Sequence, residues 1–407
     1  NGASFETVSE GFYLQGGSVM TVSGANTSVN IGSEHSGTPS TWSDSDGWLY
    51  LGDATVNVSG GAHVEADGVY VSGSLTGGAE MAVTGSGSVL DGKLAIYVGG
   101  DGNNAGTTGD GSLTISDGAT ASASVVATGN DAGTTGTILL TGAGSSLSSL
   151  YNNETFTGKI YAGYAGDGVI TVQNGASLSA AGELRVGWLS GVTGSVSIES
   201  GSTASSVGAI IGNDAGATGS VTVTGAGSSW TDTGSQVIVG YAGDGSLDVL
   251  DGATVTAQTL AIAYATGGAG AVTVSGAGSS LTTTGGVTIG VRIEGHSPES
   301  TGSLLVENGA TFETLGGYEA GDPNPDGGGM YITSGGTVTV TGAGSALNIG
   351  MAHSGTPTTG TTSDGWLSIG EGTVTVSDGA SLQADGVYVS GEPGASGVMT
   401  VTGTGSS

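Results

Sequence analysis

The chain has no cysteine, which excludes disulfide scaffolds, thiol catalysis and cysteine-ligated zinc. Basic residues are nearly as scarce: Lys and Arg together number 4, against 35 Asp and Glu, for a formal net charge of -31. Phosphate backbones and anionic bilayers repel such a chain, so nucleic-acid and lipid partners fall away. Rings are few, with 12 Tyr, 5 Trp and 4 Phe in 407 residues, and a core packed from bulky side chains is not expected. No apolar run approaches the ~18 residues of a membrane-spanning helix, so direct membrane insertion is not expected. The opening residues Asn1-Gly2-Ala3-Ser4 are neither an initiator nor a signal peptide, which suggests an internal or processed piece.

What is abundant is glycine, 85 residues of it, beside many Ser and Thr. That composition suits disorder unless it is regular, and here it is regular. A Gly-Ala or Gly-Ser turn follows a short alternating stretch again and again from Gly2 to Gly403, with a basic unit of about 24 residues that carries optional insertions. Stretches such as VTVTGAGSSW (221–230) and TVTVSDGASL (373–382) alternate strictly, which predicts strands and no helix.

One position per unit, just before the turn, is always aliphatic: Val22, Val58, Val83, Ile115, Leu140, Val172, Ile198, Val223, Val249, Val274, Val306, Val340, Val376 and Val401. Its neighbours are mostly Thr or Ser, so one side of the strand faces a dry interior and the other faces water. A second column reads aliphatic then glycine: Ile31-Gly32, Val98-Gly99, Val186-Gly187, Ile211-Gly212, Val239-Gly240, Ile289-Gly290 and Ile349-Gly350. Two or three short strands per unit with glycine at the corners describe one turn of a parallel β-helix, an all-β solenoid of roughly 14–15 turns over residues 1–407. The insertions, among them 100–111, 290–302 and 350–365, are expected on one edge, after the second column.

A longer period overlies the short one. Residues 347–407 align without gaps to 29–89 at an offset of 318, with 35 of the 61 positions identical. The segment is therefore expected to belong to a longer array, continued covalently or by stacking of copies end to end or side by side.

Units such as VGYAGDGSLDVLDGATVTA (239–257) and GSVTVTGAGSSW (219–230) resemble the repeats of autotransporter (type V secretion) passenger domains and of PEP-CTERM-associated repeat proteins. The resemblance covers essentially the whole chain. It implies a right-handed β-helix, secreted or displayed at the surface of a Gram-negative bacterium, with roles in adhesion, self-association or fibre formation.

The residues themselves point away from catalysis. Lys93, Lys159, Arg185 and Arg292 are scattered, and most acids sit in turns such as Asp117-Gly118, Asp251-Gly252 and Asp378-Gly379, where Asp is favoured on its own account. His35, His63, His296 and His353 select no nucleophile partner, and no metal ligand set is expected. Acidic glycine loops such as 99–111, 163–168 and 240–245 are compatible with Ca2+, but the nine-residue calcium-roll pattern is missing and no cofactor is required. Hydroxyl pairs flank the first column, as at Thr222 and Thr224, but Glu199, Asp248, Leu250 and Glu307 interrupt them, which argues against an ice-binding face.

Two surface features remain. Aligned turns put Lys159 beside Glu183 and Tyr161 beside Arg185 on adjacent rungs, the pattern of an ordinary ion pair and a cation–π contact. The residue after the second-column glycine gives Tyr164, Trp188, Asn213, Tyr241 and, after Ala263, Tyr264. Such a stripe either stiffens a glycine-rich corner or binds sugar rings or a partner protein. The chain is thus expected to be a non-enzymatic structural segment of an extracellular fibre whose partners are copies of itself, the alternative being an adhesin for a glycan or cell-surface protein.

Overall fold

The computed structural model describes residues 2–8, 11–32, 47–72, 77–100, 109–151, 158–234, 236–290, 300–315, 329–350, 365–389 and 396–407. The expected loops at 100–111, 290–302 and 350–365 fall largely outside these residues, as do His35, His296, His353 and Arg292. Among the described residues all regular structure is strand, 42 short strands in total, and no helix is long and apolar enough to cross a membrane.

The chain divides into two compact units, Asn1–Val207 and Gly208–Ser407. Each repeats one coil of three strands, and each strand pairs in parallel with the equivalent strand of the next coil. In the first unit His63–Ala66 belongs to the first sheet, Gly68–Val71 to the second and Ala79–Thr84 to the third. In the second unit the corresponding strands of one coil are Thr254–Ala257, Leu260–Ile262 and Ala269–Ser275. Parallel crossovers of this kind are right-handed, so both units are right-handed parallel β-helices.

The aliphatic column lies in the third sheet. In the first unit Val22, Val58, Val83, Ile115, Leu140, Val172 and Ile198 pair directly, coil to coil. In the second, Val223, Val249, Val274, Val306, Val340, Val376 and Val401 do the same. All are buried except Val401, which is 49% exposed on the last strand, with a neighbour on one side. Inward positions also take large rings, and Trp230 and Phe312 are wholly buried in the first sheet.

Glycine is dictated by the corners. Where the second sheet turns into the third, the first inward position is Gly168 in one coil and Gly245 in another, and a Cβ there would collide with the backbone nitrogens of Gly163 and Gly240. Between the third and first sheets, two turn types recur side by side. In one, Asp117 and Gly118 both adopt positive φ, +56° and +83°, the geometry of a tight primed turn. In its neighbour the Ser145 hydroxyl donates to the carbonyl of Thr141 at 2.8 Å and accepts the Gly118 N–H at 3.0 Å. A buried serine thus fastens each pair of corners.

Two expectations are corrected. The second column mixed two sheets: Ile31 and Ile349 end first-sheet strands, whereas Val98, Val186, Ile211, Val239 and Ile289 end second-sheet strands. Both kinds of strand run into a glycine of positive φ, Gly32 at +82° and Gly99 at +79°, which makes them look alike. For the same reason the insertions do not share one edge. Segments 33–46, 152–157, 316–328 and 351–364 join the first sheet to the second, while 73–76, 101–108, 291–299 and 390–395 join the second to the third.

Replacing Val223 with Asp places an unpaired carboxylate in the dry column and is expected to cost about 3–5 kcal/mol. Replacing the outward Thr222 with Asn, which adds no charge opposite its in-register partner Asp248, is expected to stay within about 0.5 kcal/mol. Hydrogen exchange of Thr218–Thr224 and Asp244–Leu250 checks this: equal protection in both variants would refute the column.

Candidate ligand-binding surface

The outer face of the second sheet concentrates the rings of this chain. Each of its strands alternates inward aliphatic with one outward residue, and in the first unit the outward residues pair in register as Tyr13, Tyr50, Tyr70, Tyr97, Ala127, Tyr161 and Arg185. The first four phenol rings stack, with centroids 4.6, 4.9 and 5.1 Å apart. Trp48 stacks on Tyr70 at 4.7 Å and spreads over Gly68, where a Cβ would strike its ring. The same arrangement recurs in the second unit, where Trp366 covers Gly386 and stacks on Tyr388 at 4.6 Å. A ring shielding a strand glycine restores the apolar contact the glycine lacks. Although they point outward, Trp48 and Tyr70 are each only 7% exposed, and they pack with Ala95 and Val125.

This ladder was missed by aligning only the strand ends. Its signal is an aromatic between two aliphatic residues in the middle of the coil, Leu49-Tyr50-Leu51, Val69-Tyr70-Val71, Ile96-Tyr97-Val98 and Ile160-Tyr161-Ala162.

Beyond Ala127 the surface becomes charged. Arg185 pairs with Tyr161 in register, donates from Nε to Glu183 at 2.8 Å and from a terminal nitrogen to the Tyr161 hydroxyl at 3.1 Å. Its guanidinium lies 3.8 Å from the centre of the Trp188 ring and 5.4 Å from that of Tyr161. Lys159 reaches Glu183 at 3.5 Å. Two of the four basic residues thus share one carboxylate within an aromatic frame, and the Arg–Trp contact contributes about 0.5–2 kcal/mol.

The structure places the stripe residues as follows. Tyr164 and Trp188 are partly buried and meet around Tyr161, edge-on at 5.1 and 6.0 Å. In the second unit Tyr241 follows Asn213 and Tyr264 follows Tyr241 through coil-to-coil backbone bonds, Ala242 N–H to Asn213 and Ala265 N–H to Tyr241. Tyr241 and Tyr264 stack at 5.5 Å and are 37% and 43% exposed. The pairing within each unit is therefore the one expected, but the first pair belongs to a polar aromatic cluster and the second stands as a bare two-ring platform.

Elsewhere, a shallow groove of about 410 Å³ runs over Thr218, Asp244, Ala271 and Thr337 in the second unit, with Asp244 its one charged residue. Among the described residues one group carries a metal-ligand constellation, His63 with Glu65 and Asp91.

No protein-family model matches the chain, and no curated protein matches it. A TibC-catalyzed hyper-glycosylated TibA55-350 fragment of known structure is similar over 99% of this chain and 97% of that one, at 18% identity and a TM-score of 0.31. A likeness of that degree carries no functional weight, and the β-helix stands on its own strand register.

Burial raises the Tyr97 phenol well above its ordinary value, helped by Tyr164 and Tyr161 nearby. Burial also raises Tyr161, with Arg185 pulling the other way. A phenol whose folded pKa exceeds its unfolded value, about 10, contributes stability that is intact below that pH and lost as pH rises above it. Denaturation midpoints are expected to fall above about pH 10, and Tyr97→Phe is expected to flatten that fall while keeping the ring stack. An unchanged pH dependence in the variant would refute the buried phenol.

Proposed function

We propose that the chain is a non-enzymatic, rigid β-solenoid segment of an extracellular bacterial surface fibre or filament, with copies of itself as partners. The observation that carries this reading is the in-register column of aliphatic residues, dry in each unit and framed by coil-to-coil backbone bonds. Such a stack resists bending and shear because each coil is held by its neighbours through three ladders at once. The acidic exterior, at a formal net charge of -31, keeps neighbouring segments from collapsing on one another. Absence of cysteine suits a chain that is exported before it folds.

The alternative reading is an adhesin for a glycan or a cell-surface protein, and the cluster of Arg185, Trp188, Tyr164 and Tyr161 favours it specifically. It combines ring faces with fixed polar groups, the combination that suits a sugar ring.

Electron microscopy of native full-length material tests the first reading. Unbranched filaments or rods with an axial repeat of about 4.8 Å are expected, and compact particles would refute it. The double variant Trp188→Ala, Tyr241→Ala decides between the readings: under either it loses the ~0.5–2 kcal/mol of the Arg185 contact, but only an adhesin also loses at least tenfold in cell or glycan binding.

A further inference from the structure

The outer face of the first sheet is a field of hydroxyls in most coils, but one stretch of the first unit departs from that pattern. Its central outward column runs Glu6, Asn30, Glu65, Asp91 and then Ser122, each paired in register with the next. His63 stands two residues before Glu65 on the same strand, and therefore on the same face. The fold thus brings the Asp91 carboxylate of the next coil beside the imidazole and carboxylate of His63 and Glu65. One ligand atom from each of His63, Glu65 and Asp91 lies within 4.8 Å of the others.

A second observation points to a ligand. The Nε2 atom of His63 and the Oδ1 atom of Asn30 are both cut off from solvent and have no hydrogen-bond partner. A polar atom left in that state forfeits the hydrogen bond it would make in water, and a coordinated cation restores a partner to a nitrogen lone pair. Nor does the fold need these residues. At the offset of 318 the same first-sheet strand carries Ser381 and Gln383 in place of His63 and Glu65, while Ala66 and Asp67 recur as Ala384 and Asp385.

We propose that His63, Glu65 and Asp91 bind a first-row divalent transition metal of the zinc class. One imidazole nitrogen with carboxylate oxygens is the donor set for such an ion, whereas Ca2+ takes oxygens alone. Bond lengths of about 2.0–2.2 Å hold ligand atoms roughly 3–4 Å apart, so a modest rotation of the side chains closes the site. Lys93 is its built-in competitor. The ammonium lies 2.5 Å from Glu65 and is a third exposed, so it swings into solvent on its flexible stem when a doubly charged ion arrives. Asp91 is meanwhile oriented by the Lys93 backbone N–H at 3.1 Å and by the Ser122 hydroxyl at 3.4 Å. The ion ties strand His63–Ala66 to Val89–Asp91 of the next coil, a cross-coil clamp on the outside of the helix.

Calorimetric titration of the full chain with zinc chloride in chelator-free buffer tests the site. One tight equivalent is expected in the wild type, with a more than tenfold loss of affinity in His63→Gln and in Asp91→Asn. Lys93→Asn, chosen because Asn tolerates the positive φ of +28° at this position, is expected to bind more tightly. Far-UV circular dichroism of each variant confirms the fold, which the external position of these side chains protects. Absence of a stoichiometric zinc site in the wild type overturns the proposal. So does unchanged affinity in His63→Gln, which would assign binding to the diffuse acidic surface, or equal competition by Ca2+, which would remove the imidazole from the donor set.

Discussion

Strands that hydrogen-bond side by side stand about 4.8 Å apart, and everything else in this protein is arranged around that spacing. Because each coil lies directly on the next, a residue is never judged alone; it is judged against the residue at the same position in the coils to either side. Inside, that condition selects aliphatic side chains that nest in columns, as Val249, Val274 and Val306 do. At the corners it selects glycine, because Gly168 and Gly245 have backbone where a side chain would stand. Outside, it converts a recurrent tyrosine into a stacked ladder, since the ring distances of 4.6–5.1 Å between Tyr13, Tyr50, Tyr70 and Tyr97 are close to the strand spacing itself.

The same spacing is hazardous for charge. Like charges on directly paired positions repel, and a chain with 35 acids and 4 bases has little to offset them. Half of the acids among the described residues escape by lying between strands, as Asp117, Asp251 and Asp378 do. Asp232 escapes differently: it is nearly buried and accepts the N–H groups of Gly208 at 2.7 Å and Gly234 at 3.1 Å. Where acids do stack, a base is interposed. Glu65 and Asp91 are in register and Lys93 leans on Glu65; Glu183 is met by both Arg185 and Lys159. Three of the four basic residues are therefore paired with carboxylates, one of them at a stacked acid pair.

The core column was legible in the sequence because alternation and turn spacing report the same physical fact, the side of the strand that must stay dry. The contacts of Lys159 with Glu183 and of Arg185 with Tyr161 were legible for the same reason, once the turns were aligned. What misled was glycine. It ends first-sheet strands at Gly32 and second-sheet strands at Gly99 with nearly the same φ, so Ile31 and Val98 looked equivalent and the insertions seemed to share one edge. The constellation of His63, Glu65 and Asp91 was invisible for another reason: it needs the register of two coils, and the residues between Glu65 and Asp91 include a complete second and third strand.

With that correction, the inserted segments flank the second sheet at both of its ends, and the second sheet is the one whose outer face carries the rings. The corner between the third and first sheets, by contrast, is held to short turns fastened by buried serines such as Ser145 and Ser279. Connection length thus varies at two of the three corners, and the third keeps the coils in step. Outward residues of the second sheet change from coil to coil without moving the inward column, because the hydrogen bonds that set the stacking lie in the strands and in the serine corner. From Tyr97 to Ala127 to Tyr161 and Arg185 the outer face passes from ring to methyl to charge, while the inward neighbours Ile96, Val126, Ile160 and Leu184 stay aliphatic.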